Sequence, residues 1–508
     1  MRKTIIILTI ALLSLSSCNN WLEATSSTQI SADRLFSSRA GFHEALSGVY
    51  LMMGSQSCYG ADYSWFVTGL AGEPYCKQSQ ALFNDLQNRR YTTVYTEPII
   101  NSMWREGYNV IANINKILLE LENRRDIIKD ETEYRLMRGE LLGLRAYLHF
   151  DIMRMWGLPD WTGDNAGKLT VPYVISYQKE PTVQLSYDAT AALLLKDIDE
   201  AISLLEVDPI CNEMSESFEE AINADGFWNK RTYHLNWYAA RALKARVLMW
   251  QHKYSEAAAL AKNIIDEVLE KQVVTWLDPV EMVNKTINDE RDWTFSCEHI
   301  FTLEIPDYSS IVQTYFFTEY RSGGGRILLS NDVVSELYQS PYIYAGDSSE
   351  SPVTLIGDVR GPALMLKITV DGYYIYKYYT NGSSTFKNRQ PMIRLPELYF
   401  MCAEAAIHSN DIPSAADAIN AVNEHRGIDD KITPTNCDLS DQPEFFLWKE
   451  FVREFIAEMP AFDYRKRFTI GPGAILAYTT EELVPRLDDN LVFPYPTEET
   501  SYGHIQEL

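Results

Sequence analysis

Several sequence signatures of enzymes are missing from this chain of 508 residues. Its 8 histidines form no His-x-x-x-His pair and its 7 cysteines form no Cys-x-x-Cys pair, which are common ligand spacings of zinc sites. The glycine triplet at 323–325 lacks the Lys-Ser/Thr of a phosphate-binding loop, and no Gly-x-Ser-x-Gly elbow of a serine hydrolase occurs. The sequence therefore predicts no metal ligands and no cofactor, although its acidic side chains leave a structural calcium ion open.

Basic residues are also scarce, with 45 Lys and Arg against 70 Asp and Glu and a formal net charge of −25. This balance argues against binding to nucleic acid and against broad contact with anionic lipid head groups, because both favour basic surfaces. Aromatic residues, in contrast, are abundant and include 31 tyrosines and 11 tryptophans. Most of these rings should lie in the core, but such a number is also compatible with stacking on carbohydrate.

The N-terminus carries a pronounced apolar run, residues 5–13, and it is shorter than the roughly 20 residues needed to cross a bilayer. Arg2 and Lys3 precede the run, and Leu15-Ser16-Ser17-Cys18 closes it. This order is typical of a bacterial lipoprotein signal that is cleaved before the cysteine. We therefore expect residues 1–17 to be a signal peptide, Cys18 to carry the lipid, and residues 18–31 to form a flexible tether.

Beyond the tether, apolar residues recur every three or four positions, as expected for the buried face of a helix. Gly157 and Pro159 follow the third of these helical stripes and predict its end. The stripes comprise Leu35, Phe36, Phe42, Leu46 and Tyr50; Val110, Ile111, Ile114, Ile117, Leu118 and Leu121; Leu142, Ala146, His149, Phe150 and Met153; and Leu194, Ile198, Ala201 and Leu205. We interpret His149 as a core histidine and not as a ligand.

Residues 238–250 and 254–269 predict a pair of helices in which Ala245 and Ala257 stand twelve positions apart, and Ala403 and Ala415 repeat that interval. Small residues at this spacing let two antiparallel helices approach closely, as in tetratricopeptide-type hairpins. Residues 157–182 form a connector rich in Pro, Gly and Tyr. The predicted fold is mostly α, with degenerate tetratricopeptide-like hairpins as its scaffold.

Residues 271–390 differ from this scaffold, since they contain Thr-, Tyr- and Val-rich runs such as 373–379 and turn signals at Asp371-Gly372 and Asn381-Gly382. We expect an insertion of loops and short strands here, where binding function usually lies. The predicted organisation is a single domain over 32–508, with helical scaffold at about 32–270 and 391–470.

Six cysteines remain after Cys18, and their spacing leaves their state open. Cys58 and Cys76 are the pair nearest in sequence and could form a disulfide in an oxidising compartment, whereas buried free thiols explain the pattern equally well.

Five blocks of residues follow one another along nearly the whole mature chain. The blocks are Leu35-Phe36 with Phe42, Ala45, Leu46, Gly48 and Tyr50; Trp104, Tyr108, Ile111 and Asn115; Gly139-Glu140, Leu144-Arg145-Ala146-Tyr147, Phe150 and Trp156-Gly157-Leu158-Pro159; Arg394-Leu395, Glu397, Tyr399, Ala403-Glu404-Ala405 and Asn420; and Phe493-Pro494-Tyr495-Pro496 with Glu498. In this order they resemble the SusD/RagB family, and the Arg-Ala-Tyr helix that leads to Gly157-Leu158-Pro159 is the most specific block.

One late block departs from the family pattern and indicates a divergent branch. The family usually has Glu-Arg, then Glu-Gly-x-Arg and Asp-Leu-x-Arg. This chain has Glu450-Phe451, Glu458-Met459-Pro460-Ala461 and Asp463-Tyr464-Arg465 instead.

The resemblance implies a lipoprotein of the outer membrane, exposed at the cell surface and held there by its lipid alone. It implies four helical-repeat hairpins and capture of a glycan, with delivery to a SusC-like TonB-dependent transporter that the protein closes as a lid. It implies no catalysis and no nucleic-acid partner. Ligand residues vary in this family and are not carried over.

Candidate ligand residues therefore rest on chemistry, since sugars stack their C–H faces on rings and bond their hydroxyls to polar groups. Two irregular regions offer both kinds of side chain. The first contributes Tyr59, Asp62, Tyr63, Trp65 and Arg90, and the second contributes Tyr308, Tyr315, Glu319, Tyr320 and Arg321.

Three alternatives remain beside glycan capture. A peptide could be the ligand, because the number of rings does not encode what they bind. A surface glycosidase needs only two carboxylates, which 70 acidic residues could supply. A helical-repeat adaptor for another envelope protein is the third alternative.

Overall fold

The structure is a computed structural model that describes residues 32–317, 325–338, 357–380, 383–435, 439–468, 490–502 and 505, apart from the side chain of Asp289. Several predicted features lie outside the described residues: the signal 1–17, Cys18, the tether 18–31, Glu319, Tyr320, Arg321, the turn at Asn381-Gly382, and Cys437.

Helices make up most of the described chain, which confirms the mostly α prediction. Their order is α1 (Arg39–Met53), α2 (Val67–Gly72), α3 (Ala81–Gln87), α4 (Glu97–Asn123), α5 (Glu131–Trp156), α6 (Tyr187–Leu204), α7 (Glu216–Ala221), α8 (Trp237–Trp250), α9 (Tyr254–Glu270), α10 (Pro279–Asn284), α11 (Tyr308–Phe316), α12 (Asn331–Leu337), α13 (Leu395–His408), α14 (Ile412–Asn423), α15 (Pro443–Phe455), α16 (Met459–Arg467) and α17 (Thr497–Ser501).

Helix α5 shows how local chemistry sets the ends of these helices. The Asp130 side chain accepts a hydrogen bond from the backbone N–H of Glu133 at 2.9 Å, which satisfies a donor of the first turn. At the other end the N–H of Gly157 donates to the carbonyl of Met153 at 2.9 Å. A Cβ at position 157 would lie 2.4 Å from that same carbonyl oxygen, so glycine is required for this helix end.

The alanines that predict the hairpins lie at helix crossings. Ala245 and Ala257 are fully buried where α8 packs against α9, and Ala403 and Ala415 are fully buried where α13 packs against α14. Helix α9 also packs against α13, which joins the two hairpins into one scaffold.

The strands form small antiparallel sheets. They are β1 (Leu169–Pro172), β2 (Gln184–Ser186), β3 (His299–Glu304), β4 (Leu328–Leu329), β5 (Leu366–Thr369), β6 (Gly372–Ile375) and β7 (Arg389–Arg394). Strand β1 pairs with β2, β3 with β7, and β6 lies between β4 and β5. Most of these strands therefore lie in the region predicted to interrupt the scaffold.

The tyrosine-rich run 373–379 is strand in its first part and a turn in its second, in agreement with the loops and short strands predicted for this region. Strand β6 ends at Ile375, and the N–H of Tyr379 donates to the carbonyl of Tyr376 at 2.8 Å to close a turn. The turn stacks the rings of Tyr376 and Tyr379 with their centroids 4.6 Å apart. Packing between rings outweighs the strand propensity of tyrosine at this point.

Buried charges connect the strand region to the late helices. The Glu454 carboxylate on α15 accepts hydrogen bonds from Arg426 at 2.8 and 2.9 Å, from Arg394 at 2.6 Å and from Arg360 at 3.2 Å. Arg426 also donates to both oxygens of Glu298. These side chains are almost completely buried. Burial by itself raises the pKa of the Glu454 carboxyl, but the Arg426 and Arg394 guanidiniums outweigh it and hold that pKa well below its ordinary value.

His149 is a fully buried core histidine, as its helical position predicts. Its Nε2 accepts a hydrogen bond from the backbone N–H of Val174 at 2.9 Å, so its Nδ1 carries the proton and donates to the Arg145 carbonyl at 2.9 Å. If Nε2 also carried a proton, that proton would point at the N–H of Val174, and the hydrogen bond between the two groups would be lost. Burial accordingly lowers the pKa of His149 from 6.5 to about 3.

Cys58, Cys76, Cys211, Cys297 and Cys402 all lack disulfide bonds. The sequence leaves both a disulfide and reduced thiols open for these cysteines. In the described part of the chain the cysteines are reduced. Among the described helices none is both long enough and apolar enough to span a bilayer.

Substitution of Glu454 tests the buried charge network. We expect Glu454→Gln to lower the free energy of unfolding by about 3–5 kcal/mol, because it leaves buried guanidiniums without their carboxylate. Glu44→Gln, at an exposed position of α1, is the matched control and should change the free energy of unfolding by less than about 0.5 kcal/mol. Equal denaturation midpoints for the two variants would show that the network contributes no net stability.

The protonation of His149 predicts a loss of stability in mild acid. Between pH 6.5 and about 3 the unfolded chain binds a proton at His149 that the folded chain does not bind, so stability falls as the pH falls. At pH 5 this group alone should cost about 2 kcal/mol relative to pH 7. In urea titrations at both pH values, His149→Gln should lose that part of the pH dependence; an unchanged pH dependence would contradict the assignment.

Candidate functional site

A narrow cleft lies where the loop-rich region meets the β3–β7 sheet. Positions open to the centre of a water-sized sphere amount to only about 20 Å³, and the surrounding empty space of about 310 Å³ includes open solvent, so the cleft is much smaller than an enclosed small-ligand pocket. Its described lining consists of Arg291, Trp293, Thr294, Tyr308, Ser309, Lys377, Tyr378, Tyr379, Thr380, Ser384, Phe386, Lys387, Asn388 and Arg389.

Aromatic rings form much of the cleft wall. Trp293 is 3% exposed and its indole N–H donates to the carbonyl of Asn288 at 3.1 Å, which fixes the ring. Tyr379 and Phe386 are half-buried at the mouth. Tyr379 is held by its stacking on Tyr376. The cleft therefore presents partly exposed ring surface on a rigid support.

Hydroxyl and amide groups alternate with these rings along the lining. Thr294, Ser309, Thr380, Ser384 and Asn388 supply donors and acceptors of the kind that fix sugar hydroxyls. The hydroxyl of Ser384 also accepts the backbone N–H of Phe386 at 3.0 Å and so fixes the loop that carries this ring.

Arg291 is bound mostly through backbone carbonyls. Its guanidinium donates to the Met282 carbonyl at 3.0 Å and to the Lys285 carbonyl, and also to the Asn288 side-chain oxygen at 2.5 Å. Its carbon Cζ lies 5.6 Å from the ring centroid of Trp293. Burial lowers the pKa of Arg291 from its ordinary value. None of these hydrogen-bond partners is a carboxylate, so no ion pair within the described ranges offsets the charge of Arg291.

Arg389 begins strand β7 and belongs to the same cleft lining, although it is almost one hundred residues from Arg291 in sequence. It donates to the Ser296 hydroxyl and to the Thr385 carbonyl, the latter at 3.1 Å, and its Cζ lies 5.2 Å from the ring centroid of Phe386. Glu304 stands opposite Arg389 in the β3–β7 ladder.

A buried carboxylate, Asp292, lies behind the cleft wall. It accepts the backbone N–H of Ser296 at 2.6 Å and the Ser296 hydroxyl at 2.7 Å. Burial raises the pKa of Asp292, while the bonds from Ser296 and the charge of Arg389 lower it in part. Asp292 therefore orders the loop that Arg389 contacts and does not itself line the cleft.

Lys377 ties the cleft to the buried charge network. Its ammonium donates to a Glu458 carboxylate oxygen at 2.6 Å and to the Glu454 carbonyl at 2.9 Å. Because Lys377 precedes Tyr378 and Tyr379, this anchor fixes the segment that supplies two of the rings.

The structure corrects the first group of predicted ligand residues. Tyr59, Asp62, Tyr63 and Trp65 are at most 4% exposed, so none of them presents a ring face or a carboxylate to solvent. The region that the sequence suggests to be an irregular surface segment packs inside the core. Arg90 is exposed but is paired with Asp85 at 2.6 Å.

Trp65 and Tyr59 are hydrogen-bonded to other side chains of the core. The Trp65 indole N–H donates to the Tyr308 hydroxyl at 2.9 Å, and the Tyr59 hydroxyl donates to Asp151 at 2.6 Å. Burial raises the pKa of Asp62 well above its ordinary value.

The second group divides between the core and the cleft. Tyr308 is 2% exposed and lines the cleft floor, where its hydroxyl donates to Gln390. Tyr315 is half-buried among Trp65, Phe66 and Phe83 and does not line the cleft. The prediction for Glu319, Tyr320 and Arg321 concerns residues outside the described ranges and stays a prediction.

Sequence reasoning missed the cleft residues Arg291, Trp293, Tyr379, Phe386 and Arg389. One signal was available, because all five lie within residues 271–390, the predicted insertion, and combine rings with basic side chains in an acidic chain. The described residues contain no group of three or more His, Cys, Asp or Glu side chains arranged to hold a metal ion.

Two segments of the chain match models of known protein families. Residues 20–213 match a family model described as "Starch-binding associating with outer membrane", and residues 365–490 match the model of the SusD family. A comparison with curated protein sequences finds no significant match.

Solved structures share the fold over most of the chain. A SusD superfamily protein from Bacteroides thetaiotaomicron VPI-5482 is 20% identical and covers 92% of this chain and 99% of its own, with a TM-score of 0.69. A SusD-like carbohydrate binding protein from Bacteroides vulgatus ATCC 8482 is 16% identical to this chain, with a TM-score of 0.62. The match covers 85% of this chain and 83% of that protein. With the two family models at either end of the same fold, the chain belongs to the SusD/RagB family.

Proposed function

We propose that this protein binds a glycan at the cell surface, in the cleft between Arg291 and Arg389. The observation that carries the proposal is the composition of the cleft lining, which combines partly exposed rings with hydroxyl and amide groups. Rings stack on the apolar face of a sugar and the polar groups fix its hydroxyls, so this combination suits a saccharide. The description of one matching family model as starch-binding supports the same class of ligand.

The proposal assigns binding and no bond cleavage to the cleft. Glycoside hydrolysis needs two carboxyl groups on either side of the scissile bond. The described lining contains no Asp or Glu, and the nearby Asp292 is engaged with Ser296. A glycosidase is therefore the weaker alternative, and the release of shorter sugars from a glycan panel would favour it.

The captured glycan would pass to a SusC-like TonB-dependent transporter that the protein covers as a lid. The family membership and the predicted lipoprotein signal at residues 1–18 support this role, since both favour a position at the outer membrane. A peptide ligand is the second candidate of the same type, and binding of peptides without any glycan would favour it.

Ring removal tests the cleft as the glycan site. We expect Tyr379→Ala and Phe386→Ala each to weaken glycan binding by roughly 5- to 20-fold, because each removes a stacking surface of about 1–2 kcal/mol. Native affinity gels that contain starch, xylan, polygalacturonate or chondroitin sulfate measure the retardation.

The control for ring removal is Tyr95→Ala, which removes a 54% exposed ring that does not line the cleft. Retardation of this variant should equal that of the wild type. If all three variants bind a retained glycan as tightly as the wild type does, the site lies elsewhere.

Replacement of Cys18 tests the membrane anchor. In cells that lack the proposed transporter partner, Cys18→Ala should leave the outer-membrane fraction, because neither its charge of −25 nor its described helices provide another attachment to lipid. Fractionation of cells and metabolic labelling with a fatty acid measure the change. Cys76→Ala is the control, and membrane retention of Cys18→Ala would contradict a lipid anchor at this position.

A further inference from the structure

The charge of the cleft is opposite to the charge of the chain. The whole protein carries a net charge of −25, yet its described lining contains Arg291, Lys377, Lys387 and Arg389 and no acidic residue. Lys377 is neutralised by Glu458 at 2.6 Å. Arg291, Lys387 and Arg389 are the other basic residues of this lining, at one small site on an acidic protein.

Two of these cations differ from other buried arginines of the protein. Arg231, Arg360 and Arg426 each form ion pairs with carboxylates. Arg291 and Arg389 instead donate to carbonyl, amide and hydroxyl oxygens, and no carboxylate in the described ranges lies within 4.0 Å of either guanidinium. These oxygen contacts hold the guanidiniums in place. The charge of Arg389 also acts on the buried Asp292, but Asp292 accepts from Ser296 and does not line the cleft, so an anion that enters the cleft meets two guanidiniums that are not bonded to a carboxylate of the described ranges.

The cations also surround a ring. Phe386 has the Cζ of Arg389 at 5.2 Å from its centroid and, at 5.8 Å, the ammonium of Lys285, which is itself paired with Glu281 at 3.0 Å. A sugar that stacks on this half-buried ring would place substituents at its edge close to positive charge. A neutral sugar leaves that charge unused, whereas an acidic sugar pairs with it.

We propose that the glycan bound in this cleft is acidic, with a carboxylate or a sulfate group placed between Arg291 and Arg389. This inference rests on the proposed glycan binding and specifies its ligand class. The guanidinium geometry suits both anions, because each presents two oxygens to a planar pair of N–H donors. Distant acidic residues oppose the ligand only weakly, since the Debye length is about 8 Å at physiological ionic strength.

Matched pairs of short saccharides test the charge requirement directly. Calorimetric titration of the full mature protein would use trigalacturonate against its methyl ester, sialyllactose against lactose, and sulfated against desulfated chondroitin tetrasaccharide. We expect at least one acidic member to bind at least 10-fold more tightly than its neutral or less charged partner. The uronate, sialic acid and sulfate pairs distinguish which acidic group is recognised.

Substitutions then place the recognition in the cleft. Arg389→Gln and Lys387→Gln should each weaken binding of the acidic saccharide by about 10-fold and leave the neutral partner unchanged. Glu304→Gln removes the exposed acid opposite Arg389 and should strengthen binding of the acidic saccharide. The matched control is Arg105→Gln, an exposed arginine on α4 that does not line the cleft. Since Lys387 is exposed, its variant stays informative even if Arg389→Gln misfolds.

The outcomes separate the two proposals. Binding of neutral glycans with no preference for the charged partner overturns the acidic-ligand inference and leaves glycan binding standing. Equal loss of acidic-glycan affinity in Arg105→Gln and Lys387→Gln also overturns it, because the charge effect would then be unspecific. If no acidic or neutral saccharide binds, the proposed function fails together with the inference.

Discussion

The Glu454 carboxylate, held by Arg360, Arg394 and Arg426, is the interaction on which the arrangement of the loop-rich region depends. Three charged donors meet one buried acid, and each comes from a different segment of the chain. Such a cluster is stable only when every charge is matched, because an unmatched ion in the core is very costly. The helical scaffold and the inserted loops are therefore tied together by geometry that tolerates little displacement.

The same network determines the shape of the cleft. Glu458 anchors Lys377 and thereby the turn that exposes Tyr379, while Arg394 lies at the far end of the strand that begins with Arg389. The rings and cations at the mouth thus rest on residues that are themselves fixed. A preformed site of this kind binds without paying for loop ordering, which suits capture of a dilute nutrient.

The sequence predicted the scaffold well because helical periodicity is a local signal. The end of α5 at Gly157 and the burial of Ala245 both follow from residues only a few positions apart. The cleft could not be predicted in the same way, since Trp293, Tyr379 and Arg389 meet only through tertiary packing. Trp65 illustrates the converse error: a ring in an irregular segment looks available for a ligand, although in the structure it fills the core.

The most direct test of the account is a crystal structure of the protein with the tightest-binding short saccharide. The account predicts a sugar ring stacked at Phe386 or Tyr379, with an acidic group within hydrogen-bonding distance of Arg291 or Arg389. A saccharide bound on another face of the protein, with this cleft empty in the same crystal, would contradict it.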